Sequence, residues 1–200
     1  MDGRVRQFLQ TESDLTYATL DVCEQLRRIN VCYAEIRFCP TLHTHKGLTE
    51  EEALVAVKKG FELSHLDGGV IVCALRTFDE AHAMRMAKLA ATGGAVGFDV
   101  AGYETGSPLT KIAAAIEYAV AQENLGVTVH AGEWVDQGNE GARVVVGGAQ
   151  AYVPTHRGMH MVWSHLGIEC IAHTCVFAVR FPPLARSKHD VGWGGPAHWC

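Results

Sequence analysis

A chain of 200 residues, 48% hydrophobic and 20% charged, can bury a real core, and its length predicts one domain, two at most. A formal net charge of -5 with no long basic cluster excludes a protein that tracks nucleic-acid phosphates; Arg27-Arg28 and Lys58-Lys59 read as solvated helix faces. No run reaches the roughly 18 apolar residues of a membrane span, MDGRVRQFLQ lacks the apolar core of a signal peptide, and the seven cysteines form an odd set. The first four of them sit in apolar patterns as small hydrophobes, so a cytoplasmic, reducing location is expected, with no nucleic-acid or membrane partner.

In chain order, SDLTYATLDVCEQLRRIN (13 to 30) places Leu15, Thr19, Val22, Leu26 and Ile29 on one helical face, with Ser13 available as N-cap. VCYAEIRFCP (31 to 40) is an extended run whose Tyr33, Glu35 and Arg37 oppose Ala34, Ile36 and Phe38, stopped by Pro40. Thr49 and Glu52 have capping-box spacing at the start of a helix that buries Leu54, Val57 and Phe61. A turn at Gly68-Gly69 leads to the strand VIVCALR (70 to 76), after which Asp79 caps a helix with Ala83, Met86 and Leu89 inward. The strand AVGFDVAG (95 to 102) follows. Ser107 as N-cap and Pro108 at the first helical position open a helix with Ile112, Ile116 and Val120 on its core side, and GVTVH (126 to 130) is the next strand.

Nearly continuous apolar strands alternating with helices imply crossover units and a parallel sheet covered on both faces, hence an α/β fold. The pattern alone fits a doubly wound sheet or a closed barrel, and polar residues at several strand ends favour the barrel, with a site at that rim. After residue 134 the rhythm fails: there is no capped amphipathic helix, glycines and prolines cluster, and only short strands at 143 to 146 and 168 to 179 are expected. Residues 1-134 are therefore read as a partial barrel and 135-200 as a divergent tail.

The stretch GVTVHAGEW carries a histidine and a glutamate at a strand end. Parity places Thr128 and His130 on one face and Val127 and Val129 on the other, so in a barrel His130 points inward at the carboxyl rim. Ala131 and Gly132 allow a tight turn that brings Glu133 back towards the same cavity. Two readings stay open on these residues alone. An imidazole there can bind zinc while the carboxylate beside it moves a proton; or a buried histidine bonds a neighbouring carbonyl and the glutamate is solvated.

Taken together and in order, YAEIRFCP with its following Leu-Thr-Glu-Glu helix, GFDVAGYE, and VHAGEW resemble the adenosine deaminase family of metal-dependent hydrolases, from about Phe8 to Trp134. The resemblance implies a TIM-type (β/α)8 barrel, incomplete here with four to five parallel strands recognisable. It also implies zinc as cofactor, a purine nucleoside as the small-molecule partner, and hydrolysis of the 6-amino group of adenosine to give inosine and ammonia. By the same resemblance His130 is a zinc ligand, Glu133 donates a proton to the purine ring, and Gly102 offers its backbone N–H to another ring nitrogen.

The family's H-x-H pair on a first barrel strand has no match upstream of residue 8. His43 and His45 imitate it after Pro40, where they are expected to be loop residues, and His65 and His82 are expected on solvated helix surfaces. The later His-Gly and S-L-N-T-D-D segments have no match either; His156, His160, His165, His173, His189 and His198 follow no recognisable strand, and Cys170 with Cys175 lacks a second ligand pair at zinc spacing. Three accounts follow: an enzyme of this lineage, a non-catalytic purine-binding or interaction protein on the same fold, and an incomplete or altered reading of a longer gene. Oligomeric state is not set by the sequence.

Overall fold

A computed structural model describes residues 7 to 130 and, beyond them, the backbone of four short strands. The first element with both ends described is helix α1 (Glu12–Arg28), followed by strand β1 (Tyr33–Phe38), a 3-10 turn (Pro40–His43), α2 (Glu50–Ser64), β2 (Asp67–Leu75), α3 (Glu80–Thr92) and β3 (Gly97–Ala101). A second 3-10 turn (Leu109–Ile112) leads into α4 (Ala113–Val120) and β4 (Gly126–Val129). Later come β5 (Gln150–Tyr152), β6 (Met161–Ser164), β7 (Gly167–Ile168) and β8 (Phe177–Arg180).

Strands β1 to β4 pair in parallel and strictly in sequence order. A doubly wound sheet reverses its strand order at a switch point; here each strand joins the next without reversal, which is the progression of a (β/α) barrel. Parity does the rest. Ala34, Ile36, Val70, Val72, Ala74, Phe98, Val100 and Val127 point to the helices and form the main core with Leu54, Val57, Phe61, Met86 and Ile116. The opposite face carries Arg37, Cys73, Asp99 and Thr128, all buried. The expected α/β barrel segment is thus present, with its polar layer on the face opposite the helices.

Several local expectations hold. Thr49 and Glu52 form both bonds of the capping box, Asp79 accepts from the His82 amide at the start of α3, and Leu54, Val57, Phe61, Ala83, Met86 and Leu89 are buried. Others are corrected. The cap of α1 is Thr11, not Ser13, because its hydroxyl reaches the Asp14 amide, and Ile29 ends as an exposed C-cap beyond the buried face. Gly68 and Gly69 lie inside β2 rather than in a turn. They are glycines because a Cβ at Gly68 would stand 1.7 Å from the Ala34 carbonyl oxygen and one at Gly69 would meet the Val96 side chain at 2.3 Å. The reversal is made instead by His65, in the left-handed region at φ 54.

Pro108 precedes a 3-10 turn, and the regular helix starts only at Ala113. Cys23, Cys39 and Cys73 are buried as expected, whereas Cys32 is exposed in the loop before β1.

The expected strand over 143 to 146 lies outside the described residues. Of the span 168 to 179, β7 ends at Ile168 and β8 begins at Phe177, while β5 and β6 are additional. Strand β8 pairs antiparallel with β1, with Tyr33 opposite Arg180. It caps the free edge of β1 but cannot be a barrel neighbour, since those are all parallel. Among the described residues no helix is long and apolar enough to cross a membrane.

Candidate functional site

The inner face of the sheet is built on register. Cys73, Asp99 and Thr128 are cross-strand partners in adjacent strands, and Arg37 reaches the same layer from β1. Asp99 is completely buried. One of its oxygens, Oδ2, lies 3.1 Å from Arg37 Nε and 2.9 Å from His130 Nδ1; the other accepts the Thr128 hydroxyl at 2.6 Å. Arg37 Nη2 donates to the Thr128 oxygen at 3.2 Å, and the Cys73 thiol to Oδ2 at 3.4 Å.

Burial by itself would push the Asp99 carboxyl up, but the Arg37 charge, then His130 and the Thr128 hydroxyl, hold it well below the usual carboxylate range. The carboxylate is therefore a fixed negative charge. Burial, followed by the Asp99 charge, drives the Cys73 thiol in the opposite direction, well above its ordinary value, which leaves it a protonated donor.

His130 follows the last residue of β4 and is buried, as parity predicts. Its amide donates to the Val100 carbonyl at 2.8 Å, its carbonyl accepts from Arg76 Nη2 at 3.0 Å, and Nδ1 faces Asp99. At 2.9 Å the Asp99 carboxylate holds the Nδ1 side of the ring as a close charge contact and leaves Nε2 as the nitrogen away from Asp99. Of the two readings left open by the sequence, the carbonyl-bonded histidine is not the geometry at Nδ1.

Gly102 lies just beyond β3, on the neighbouring strand end, with φ +105. A Cβ there would meet only the Arg76 side chain and backbone and Leu75 Cδ2, at 3.7 to 3.8 Å, so it is the backbone angle and not crowding that selects glycine. Glu133, the third residue expected in the site, lies outside the described residues.

The remaining histidines divide. His43 ends the 3-10 turn, where its Nδ1 donates to the Leu9 carbonyl, and His45 is exposed beside Gln10 in the loop that follows, as expected for that residue. His65 is exposed at the end of α2, also as expected. His82 is not on a solvated surface: it is buried between α3 and the end of β2, where Nε2 accepts the Leu75 amide at 3.3 Å, Nδ1 lies 3.4 Å from the Thr41 hydroxyl, and Phe78 packs edge-on. Among the described residues no group of three His, Cys, Asp or Glu side chains stands close enough to hold a metal ion.

The sequence pattern put Thr128 on the inward face and Arg37 opposite the apolar side of its strand but gave neither a partner, and Asp99 and Arg76 were missed as members of this layer. The signal was present: an aspartate in the otherwise apolar AVGFDVAG and an arginine in YAEIRF are charges inside buried strands, and such charges must be paired.

The fold and this rim define an α/β barrel-type protein with a carboxylate-held histidine at the carboxyl end of a strand. The adenosine deaminase family model matches residues 3–144, past the expected limit at Trp134. An adenosine deaminase of Streptomyces coelicolor is 40% identical over 136 residues, covering 62% of this chain and 34% of that protein. Among solved structures, Arabidopsis ADAL complexed with IMP superposes at TM-score 0.60 with 22% identity over 65% of this chain and 42% of that one. An amidohydrolase from Burkholderia ambifaria with bound Zn superposes at TM-score 0.58 with 22% identity, over 62% and 36%. The chain belongs to the adenosine deaminase family. It spans 34% of the length of the Streptomyces coelicolor relative and 40% of that of an adenosine deaminase of Streptococcus thermophilus.

Proposed function

We propose that this chain carries one corner of a deaminase site that hydrolyses the 6-amino group of adenosine, or of a related aminopurine, to give inosine and ammonia. The observation that supports it best is the pair of adjacent strand ends: His130, held by Asp99 at 2.9 Å, and Gly102, whose missing side chain lets a flat base approach the backbone. In this reading the Gly102 N–H donates to one ring nitrogen and Glu133 protonates another. Protonation withdraws electrons from the amine-bearing carbon and readies it for attack.

Zinc enters as the cofactor of the lineage. A catalytic zinc normally takes three protein ligands and leaves a position for water, and the described residues offer His130 alone, so they do not make that site by themselves. His130 is proposed as one ligand, with Asp99 and Arg37 as the charged layer that orients it. Residues 1-134 form the lineage's barrel segment in this proposal and residues 135-200 a divergent tail.

The test is zinc content of the purified full chain together with loss of adenosine absorbance near neutral pH. Stoichiometric zinc with inosine formation supports the proposal. His130→Ala should then lose the metal, and Glu133→Gln should keep it and lose turnover. Equal turnover in wild type and Glu133→Gln would reject the role given to Glu133, and a metal-free chain that binds purine without turnover would support the non-catalytic account instead.

A further inference from the structure

Arg76 follows β2 and belongs to neither strand end that carries the proposed site, yet it is bonded to both. Its side chain is 2% exposed. On one side, its backbone amide donates to the Ala101 carbonyl at 2.9 Å, its Nη1 lies 3.4 Å from Glu104 Oε2, and its Cγ lies 3.7 Å from where a Gly102 Cβ would be. On the other, Nη2 donates to the His130 carbonyl at 3.0 Å. The segment Ala101 to Glu104 is therefore fastened at both ends of Gly102 by one residue, and the same guanidinium fastens the main chain of His130.

We infer that Arg76 is a positioning residue: it fixes the Gly102 amide and the His130 main chain relative to each other. The inference rests on the reading that both groups face the purine, and it adds what sets the distance between them. The chemistry requires arginine. A guanidinium is a planar fork whose two Nη atoms can bond partners on different strands at once, whereas a lysine ammonium is a single point that must choose one. The layer underneath makes the linkage matter. The His130 imidazole is tethered to Asp99, so a shift of its main chain that the tether cannot follow breaks the Nδ1 contact and releases the ring orientation.

The measurement is heteronuclear NMR on the uniformly 15N-labelled full chain, His130 being assigned from His130→Gln and Gly102 from Gly102→Ala, at one mildly alkaline pH. In wild type His130 should show a protonated Nδ1 and an unprotonated Nε2 in a single fixed tautomer. Arg76→Lys should move those nitrogens towards tautomer averaging and shift the Gly102 amide, while the circular dichroism of the helices is retained. Glu104→Gln, which keeps the bond to His130, should move Gly102 and spare the imidazole.

Unchanged imidazole and Gly102 signals in Arg76→Lys would overturn the inference. Should that variant not fold, the wild type still decides: resolved, slowly exchanging Nη protons on Arg76 support it, and averaged, solvent-exchanging ones overturn it. Titration with adenosine separates this inference from the proposed function. Arg76→Lys should raise the dissociation constant at least tenfold; a wild-type chain that holds His130 as described but does not bind adenosine counts against the function and not against Arg76.

Discussion

Replacing Asp99 by asparagine is the most informative single perturbation of the inner layer. It changes one oxygen for an amide and removes a charge that faces Arg37 at 3.1 Å and His130 at 2.9 Å, with side-chain exposures of 6% for Arg37 and 0% for Asp99. Removing one partner of a buried ion pair typically costs about 3–5 kcal/mol, because the remaining charge stays buried without its counter-charge. For a chain of 200 residues, with about 2–4 °C of melting temperature per kcal/mol, that is a fall of roughly 10 °C. Urea unfolding followed by circular dichroism measures the free energy directly. A double-mutant cycle isolates the pair: Asp99→Asn with Arg37→Met should cost less than the sum of the two single changes, since together they remove both charges. A loss below about 0.5 kcal/mol in Asp99→Asn, within the range of ordinary surface substitutions, would refute the claim that this layer is held by charge.

Three further outcomes follow from individual contacts. Burial first, with the Arg85 charge assisting and Glu50 and Asp79 opposing, holds the His82 pKa below its ordinary value. The unfolded chain then binds the proton more readily than the folded one, so stability should fall as pH drops below about 6.5. His82→Gln should flatten that slope in unfolding titrations. Gly60→Ala would place a Cβ 2.4 Å from the Thr16 carbonyl oxygen where α1 crosses α2, so it should lose about 1–3 kcal/mol despite alanine's better helix propensity. Thr49→Ala removes the hydroxyl that accepts the Glu52 amide in the capping box of α2, leaving the Glu52 carboxylate bond to the main chain, and should cost about 1 kcal/mol in the same assay.

What the sequence disclosed was governed by period and by end signals. The α/β alternation, the inward parity of Thr128 and His130, and the caps at Thr49 and Asp79 are local properties, and the structure has each of them. Its misses are contacts made across the fold. His82 reads as a surface helix residue until β2 and the Thr41 turn are placed against it. Gly68 and Gly69 read as a turn because a glycine forced by a neighbouring strand and one forced by a bend look alike in one dimension. The barrel, favoured in the sequence by polar strand ends and by the family resemblance, is borne out by the strand order, whereas the roles of Asp99 and Arg76 needed the register that sets them among three strands. The antiparallel pairing of β8 with β1 had no signal, because the span containing it shows no regular alternation.

The central claim is that the carboxyl ends of β3 and β4 form the purine-facing corner of this chain. Amide chemical shifts of the 15N-labelled full chain, recorded while adenosine is added, test it most directly. The account predicts saturable shifts at Ala101 to Glu104 and at Val129 and His130, with Asp67, Gly97 and Gly126 at the opposite strand ends unmoved. Shifts concentrated at those opposite ends, or none at Gly102 and His130 when the rest of the protein responds, would contradict it.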